Sequence, residues 1–173
     1  YGSRCGRFDE EKKHRKGERL PKLFAEREQA LLGSYPKDQP DEPIGVTIGI
    51  PRALTFFDLH PLWKAFFTEL GCRVVLSDPT NRETIRRGTD HMTTETCFPI
   101  KVAHGHVSDL LEKAVDYIFV PSVVNMGHEA PGIVHSYVCP LVQSIPYQLK
   151  AAFMDRAGGE RPLLAPIFHF ERG

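Results

Sequence analysis

The sequence predicts an α/β fold, a Rossmann-like or flavodoxin-like parallel sheet with flanking helices, preceded by a charged helical amino-terminal segment. Three observations predict it. β-Branched runs alternate with amphipathic stretches from Ile44 onward, the connections between them are short, and charge is concentrated ahead of Pro43. Of 173 residues, 41% are hydrophobic and 25% charged, enough apolar material for one core of ordinary size.

Nineteen of the 44 charged residues fall in the first 43 positions, so composition divides the chain into residues 1–43 and 44–173. In the first part Leu20, Leu23, Phe24, Leu31 and Leu32 recur at roughly helical spacing after Pro21, and Gly33 stands where a helix would end. PKDQPDEP then reads as an extended linker that no helix crosses. The second part begins with the strand IGVTIGI, ended by Pro51, and the helix DLHPLWKAFFTELG, ended by Gly71. CRVVLS is a second strand, and TNRETIRRG a polar helix begun by Thr80 or Asn81. A helix from Lys101 to Ala114 and a third strand, YIFVPSVV, follow. The Gly-, His- and Pro-rich loop NMGHEAPGIVHSYVCP leads to a helix from Ser144 to Met154 and a final strand, LLAPIF. Such an order implies right-handed crossovers and helices on both faces of the sheet. The chain opens at Tyr1 and stops just after LLAPIFHF, so the second part is read as a domain of a longer chain.

Composition also excludes function classes. Lys plus Arg, 22, equals Asp plus Glu, so no global positive field holds nucleic acid or an anionic membrane. No apolar run approaches the 18 or more residues that span a bilayer, and the amino terminus lacks the apolar core of a secretion signal; the expected location is the cytoplasm. Four cysteines at 5, 72, 97 and 139 lie too far apart for a disulfide scaffold, which points to reduced thiols or metal thiolates. Neither Gly-x-Gly-x-x-Gly nor a phosphate-binding Gly-x-x-x-x-Gly-Lys-Ser/Thr loop is present.

Cys97-Phe98-Pro99 and Cys139-Pro140 each stand just before a predicted helix. There the helix dipole and unpaired amides favour a thiolate and suit an iron ligand, and the prolines fix the turn. Each reads as well as a small buried hydrophobe. Cys72, at the start of a strand, belongs to the core. Cys5, in the charged segment, is a ligand or an exposed thiol. The spacings of 92 and 42 residues resemble no zinc ribbon or ferredoxin. His104, His106, His128 and His135 with cysteine could build a zinc centre. But His104 and His106, two apart on a helix, cannot face one point, and they read as hydrogen-bonding or packing residues. Glu95 and Lys101 flank Cys97 as solvated charges or charge-tuning groups. Arg52, after the first strand, is an anion-binding or a surface residue.

IGIPRALTFFDLHPLWKAFFTELGCRVVLSDPT, TETCFPIKVAHGH, YIFVPSVVN and CPLV resemble a region of acyl-CoA dehydratase activase-related proteins, also called predicted CoA-substrate-specific enzyme activases. SRCG and LPKLFAEREQALL resemble the lead-in to that region. The likeness covers most of residues 3–150, and CFP-x-K-x-x-HGH is its most specific part. In that family ATPase modules are joined to regions similar to 2-hydroxyacyl-CoA dehydratase subunits, which hold iron-sulfur clusters and receive electrons driven by ATP hydrolysis. The resemblance implies Cys97 and Cys139, with Cys5 as a third, as thiolates of a cluster of 4Fe-4S type. Lys101 and Arg52 would be its nearby cations. It also implies ATPase activase modules of the same parent chain and dehydratase-like domains or subunits as partners. Where the family often has a second cysteine three places after the first, this sequence has Phe8. The expected function is a module of an ATP-coupled activase and reductase system for low-potential electron transfer, part of such a system rather than a complete enzyme. The alternative is a non-catalytic interaction domain or a structural zinc-binding domain of a larger protein.

Overall fold

A computed structural model describes residues 21–33, 35, 39–92, 94–113, 115–127, 136–153 and 163–170. Cys5, His128 and His135 lie outside them. The elements, in order, are α1 (Leu23–Leu32), β1 (Thr47–Ile50), α2 (Phe56–Glu69), β2 (Arg73–Leu76), α3 (Arg82–Asp90), α4 (Phe98–Glu112), β3 (Tyr117–Phe119), β4 (Ser122–Asn125), α5 (Pro140–Gln143), α6 (Ile145–Phe153), β5 (Leu163–Leu164) and β6 (Ile167–His169). The α/β class and the parallel sheet expected from the sequence are both present. Strands lie in the order β2-β1-β3-β5, every neighbouring pair parallel.

Alternation of side chains along the central strands decides which helix covers which face. Ile48, Ile50 and Phe119 point to one side, where Phe56, Leu59, Trp63 and Phe67 of α2 cover them. Ile118 points to the other, against Ile100, Ala103, Val107 and Leu110 of α4 and Leu149 of α6. Gly49 faces α4 as well, and a β-carbon there would stand 2.9 Å from Val115 and 3.2 Å from Leu110. Cys72 is buried in the α2 cluster, as a core residue should be. Trp63 stacks edge-on to Phe119 at 5.0 Å and leans on Phe168 of β6 at 4.8 Å. α2 ends in a turn at Gly71, whose φ of 85° is open to glycine, and Gly71 O accepts from Ile44 N at 2.9 Å.

Two expected single strands are each interrupted by a proline. YIFVPSVV divides into β3 and β4, and LLAPIF into β5 and β6. The ladder nevertheless runs on, since Val120 N donates to Leu164 O and Ser122 N to Pro166 O, both at 2.9 Å. Pro166 has no N–H to return, and this missing donor divides the sheet. Beyond it β4 pairs with β6 in parallel, and residues 136–138 return antiparallel along β4.

Pro61 inside α2 leaves the Phe57 carbonyl without its helical donor. Arg27 Nη2 of α1 donates to that carbonyl at 3.4 Å, and the Arg27 guanidinium lies 5.5 Å over the Phe57 ring. α1 is attached there, and none of its residues is buried.

α3 begins at a capping box, in which Asn81 accepts from Thr84 N at 2.9 Å. It then meets α4 backbone to backbone. A β-carbon on Gly88 would stand 1.9 Å from Lys101 O, and one on Gly105 1.9 Å from Thr84 O. Gly88→Ala and Gly105→Ala therefore force the helices apart, and each should lower stability by about 1–3 kcal/mol or more in urea unfolding. Thr89→Ala on the exposed side of α3 should stay within about 0.5 kcal/mol.

Candidate functional site at the carboxyl edge of the sheet

From β1 the chain crosses to β2 on one side and later returns to β3 on the other. Such a reversal opens a crevice beyond the carboxyl ends of β1 and β3, where α/β sheets take ligands. In this chain the crevice is nearly closed by apolar side chains. A cavity of about 30 Å³ remains between Pro51, Leu54, Val120, Pro121, Val142 and Ile145. Leu54 holds a φ of 56°, a conformation that costs a leucine energy and that clusters at functional sites.

A polar network centred on buried His106 lies at the end of β2. Arg52 N donates to Ser77 Oγ at 2.8 Å, and Ser77 Oγ is hydrogen-bonded to His106 Nδ1 at 2.9 Å. His106 Nε2 meets Thr80 Oγ1 at 2.9 Å. Hydroxyls rotate to serve either tautomer, so a neutral ring is satisfied at both nitrogens. Burial holds His106 near a pKa of about 4, with Asp109 opposing and Arg52 and Lys113 adding to the depression. Lys113 joins the loop to α4 by bonds to Asp78 at 2.6 Å, Asp109 at 3.0 Å and Leu76 O at 3.1 Å.

The other buried histidines behave alike. His104 Nδ1 is bonded to Ile100 O at 2.9 Å, and burial lowers its pKa. The two histidines of the HGH string thus face different neighbours, as their spacing requires. His60 lies 4.7 Å from the Phe56 ring, and burial, then Lys64 and Arg52, hold its pKa at about 4. Arg52 is partly buried, its side chain 11% exposed, with Nη2 on Glu28 of α1 at 2.5 Å.

Both cysteines of the Cys-Pro turns occupy the N-cap position of a helix with a proline in its first turn. Cys97 and Cys139 are exposed, unbridged, and make no capping bond. α4 runs toward the start of β3, which puts Cys97 at the carboxyl edge of the sheet. Cys139 follows the segment that returns along β4, where Val138 N donates to Val124 O at 2.9 Å and Ser122 Oγ to Gln143 O of α5 at 2.7 Å. Lys101 pairs with Glu95 at 2.7 Å, its side chain 19% exposed and that of Glu95 91%. Among the described residues no three His, Cys, Asp or Glu side chains form a group able to hold a metal ion.

Sequence reasoning did not find the Ser77, Thr80 and His106 network. The one local signal was a Ser-x-x-Thr pair directly after a strand.

His106 and His60 make stability depend on pH. Each has a pKa near 4 in the fold and 6.5 ordinarily. The unfolded chain therefore binds protons first, and stability is lost as pH falls from about 6.5 to about 4. Each ring contributes on the order of 3 kcal/mol over that window. Urea midpoints taken from pH 7.5 to 4.5 should fall, and His106→Gln should make the fall shallower. An equal slope in the variant would assign the acid sensitivity to other groups.

The family model described as CoA enzyme activase uncharacterised domain matches residues 47–173. No curated protein and no solved structure matches the chain. The matched span contains every strand of both sheets, the buried histidines, and Cys97 and Cys139. The chain belongs to this CoA enzyme activase domain family.

Proposed function

We propose that the domain is a thiolate-bearing module of an ATP-coupled activase and reductase system of the 2-hydroxyacyl-CoA dehydratase kind. In this reading Cys97 and Cys139 ligate an iron-sulfur cluster, of 4Fe-4S type, with Cys5 as a third thiolate. ATP hydrolysis belongs to ATPase modules elsewhere in the parent chain, a dehydratase-like domain or subunit is the partner, and the reducing cytoplasm is the setting.

One observation carries the reading. Two cysteines 42 residues apart in sequence are exposed and each takes the N-cap position of a helix with a proline in its first turn. That donor set suits iron, since a thiolate at a helix amino terminus gains from the dipole and from free amides. A bound cluster supplies one-electron chemistry at low potential. The chain's own residues contribute the thiolates, the amides of the first turn of α4, and the Lys101 cation four positions on. No helix among the described residues is long and apolar enough to cross a membrane.

A second reading is a non-catalytic interaction domain with structural thiols, which requires no three-ligand group among the described residues; a zinc site, like the cluster, would need ligands beyond Cys97 and Cys139.

Anaerobic purification of the full chain, followed by iron, acid-labile sulfide and zinc analysis and spectra before and after dithionite, separates the two. Iron and sulfide should appear in equal amounts and be lost in Cys97→Ser and Cys139→Ser. Because both thiols are exposed, those variants should keep their stability within about 0.5 kcal/mol. Cys72→Ser in the core should do the reverse, keeping metal and losing stability. Zinc alone, or no metal in the full chain, overturns the cluster reading.

A further inference from the structure

The cavity at the carboxyl ends of β1 and β3 is lined by neither Cys97 nor Cys139. Its walls come from five parts of the chain: Leu54 from the turn after β1, Val107 from α4, Pro121 from the turn after β3, Val142 from α5 and Ile145 from α6. Among the described residues on this lining only Thr55 and Trp63 carry a polar side-chain atom, and none carries a charge. Water finds too few partners in such a space, whereas hydrocarbon fills it without loss of hydrogen bonds. The reversal of strand order is also where sheets of this kind admit small ligands.

Leu54 joins the cavity to a strained backbone. Its φ of 56° is unfavourable for any residue with a β-carbon and free of that cost for glycine. Leucine holds the conformation while its side chain is packed against the cluster formed by α4 and α6. The same side chain is a wall of the cavity, so a return of Leu54 to an ordinary conformation would relieve the strain and enlarge the space together.

We propose that the cavity is a binding site for a short uncharged aliphatic group, the alkyl end of a ligand whose polar remainder stays outside, and that Leu54 is its gate. The alkyl group replaces the contacts with the α4 and α6 cluster that Leu54 gives up on moving. The Thr55 hydroxyl makes no capping bond to α2 and stands on the lining as a donor for the first polar atom of such a ligand. Neither cysteine takes part, so the site stands or falls independently of metal content.

The test is methyl NMR of the full chain titrated with 1-butanol. Loss of a signal in Leu54→Gly, Val142→Ala or Ile145→Val assigns it to that residue. The Leu54, Val142 and Ile145 methyl signals of the unaltered chain should move and saturate. Leu54→Gly suits the backbone and deletes the gate, and should bind the alcohol about fivefold more tightly, read from the Val142 and Ile145 methyls. Val142 is half-buried, so Val142→Phe, checked for fold by circular dichroism, should fill the space and abolish the Leu54 and Ile145 shifts. Val142→Ile, a smaller filling, should weaken binding by about threefold. The site is refuted if the signals of the unaltered chain stay still, or if the Leu54 and Ile145 methyls move equally in a folded Val142→Phe and in Val142→Ile. An unchanged affinity in Leu54→Gly refutes the gate.

Discussion

Six consecutive residues of α4, Ala103 to Ser108, are buried, so for nearly two turns this helix has no solvent face. The sheet and α6 take its apolar side, α3 lies against its backbone at Gly105, and the end of β2 closes over His106. A helix enclosed in this way admits only side chains that are apolar, absent, or polar with partners in place. Ala103 and Val107 meet the first condition, Gly105 the second, and His104 and His106 the third. The site follows from that enclosure. With α4 fixed along its length, its first turn and Cys97 are held in place, although Cys97 itself is exposed.

The enclosure also sets the electrostatics of the edge. Charged imidazoles cannot be solvated there, so the rings stay neutral and act as hydrogen-bonding spacers. The formal charge is left to Arg52 and Lys113, and each is answered by carboxylates from another part of the chain: Glu28 for Arg52, Asp78 and Asp109 for Lys113. Sheet, helices and connecting loops are thereby joined by a few ion pairs, of which the Arg52 side chain is the most enclosed.

Much of this was legible in the sequence, because strand and helix periods are local properties. Every expected strand and helix with a residue-level pattern is present, and the errors have physical causes. α4 starts three residues before Lys101, because Pro99 fits a first turn and the extended backbone of Cys97 leads into it. Prolines 121 and 166 read as tolerable inside strands, and a ladder with one missing donor is what they leave. Cys97 and Cys139 could be placed at helix starts from their neighbours alone. The network around His106 could not, since Ser77, Thr80 and His106 are brought together by tertiary packing and no local pattern encodes their meeting. Arg52 was open between surface and anion binding for the same reason, its burial depending on a helix some twenty residues earlier.

The chain has a single tryptophan. Trp63 sits where the two sheets join, against Phe119 of one and Phe168 of the other. Its fluorescence is therefore an intrinsic optical probe of that seam. Detachment of β6 would hydrate the indole and move its emission to longer wavelength while the α4 face of the sheet remained intact, so undocking of the small sheet and global unfolding can be followed as separate signals without any added label.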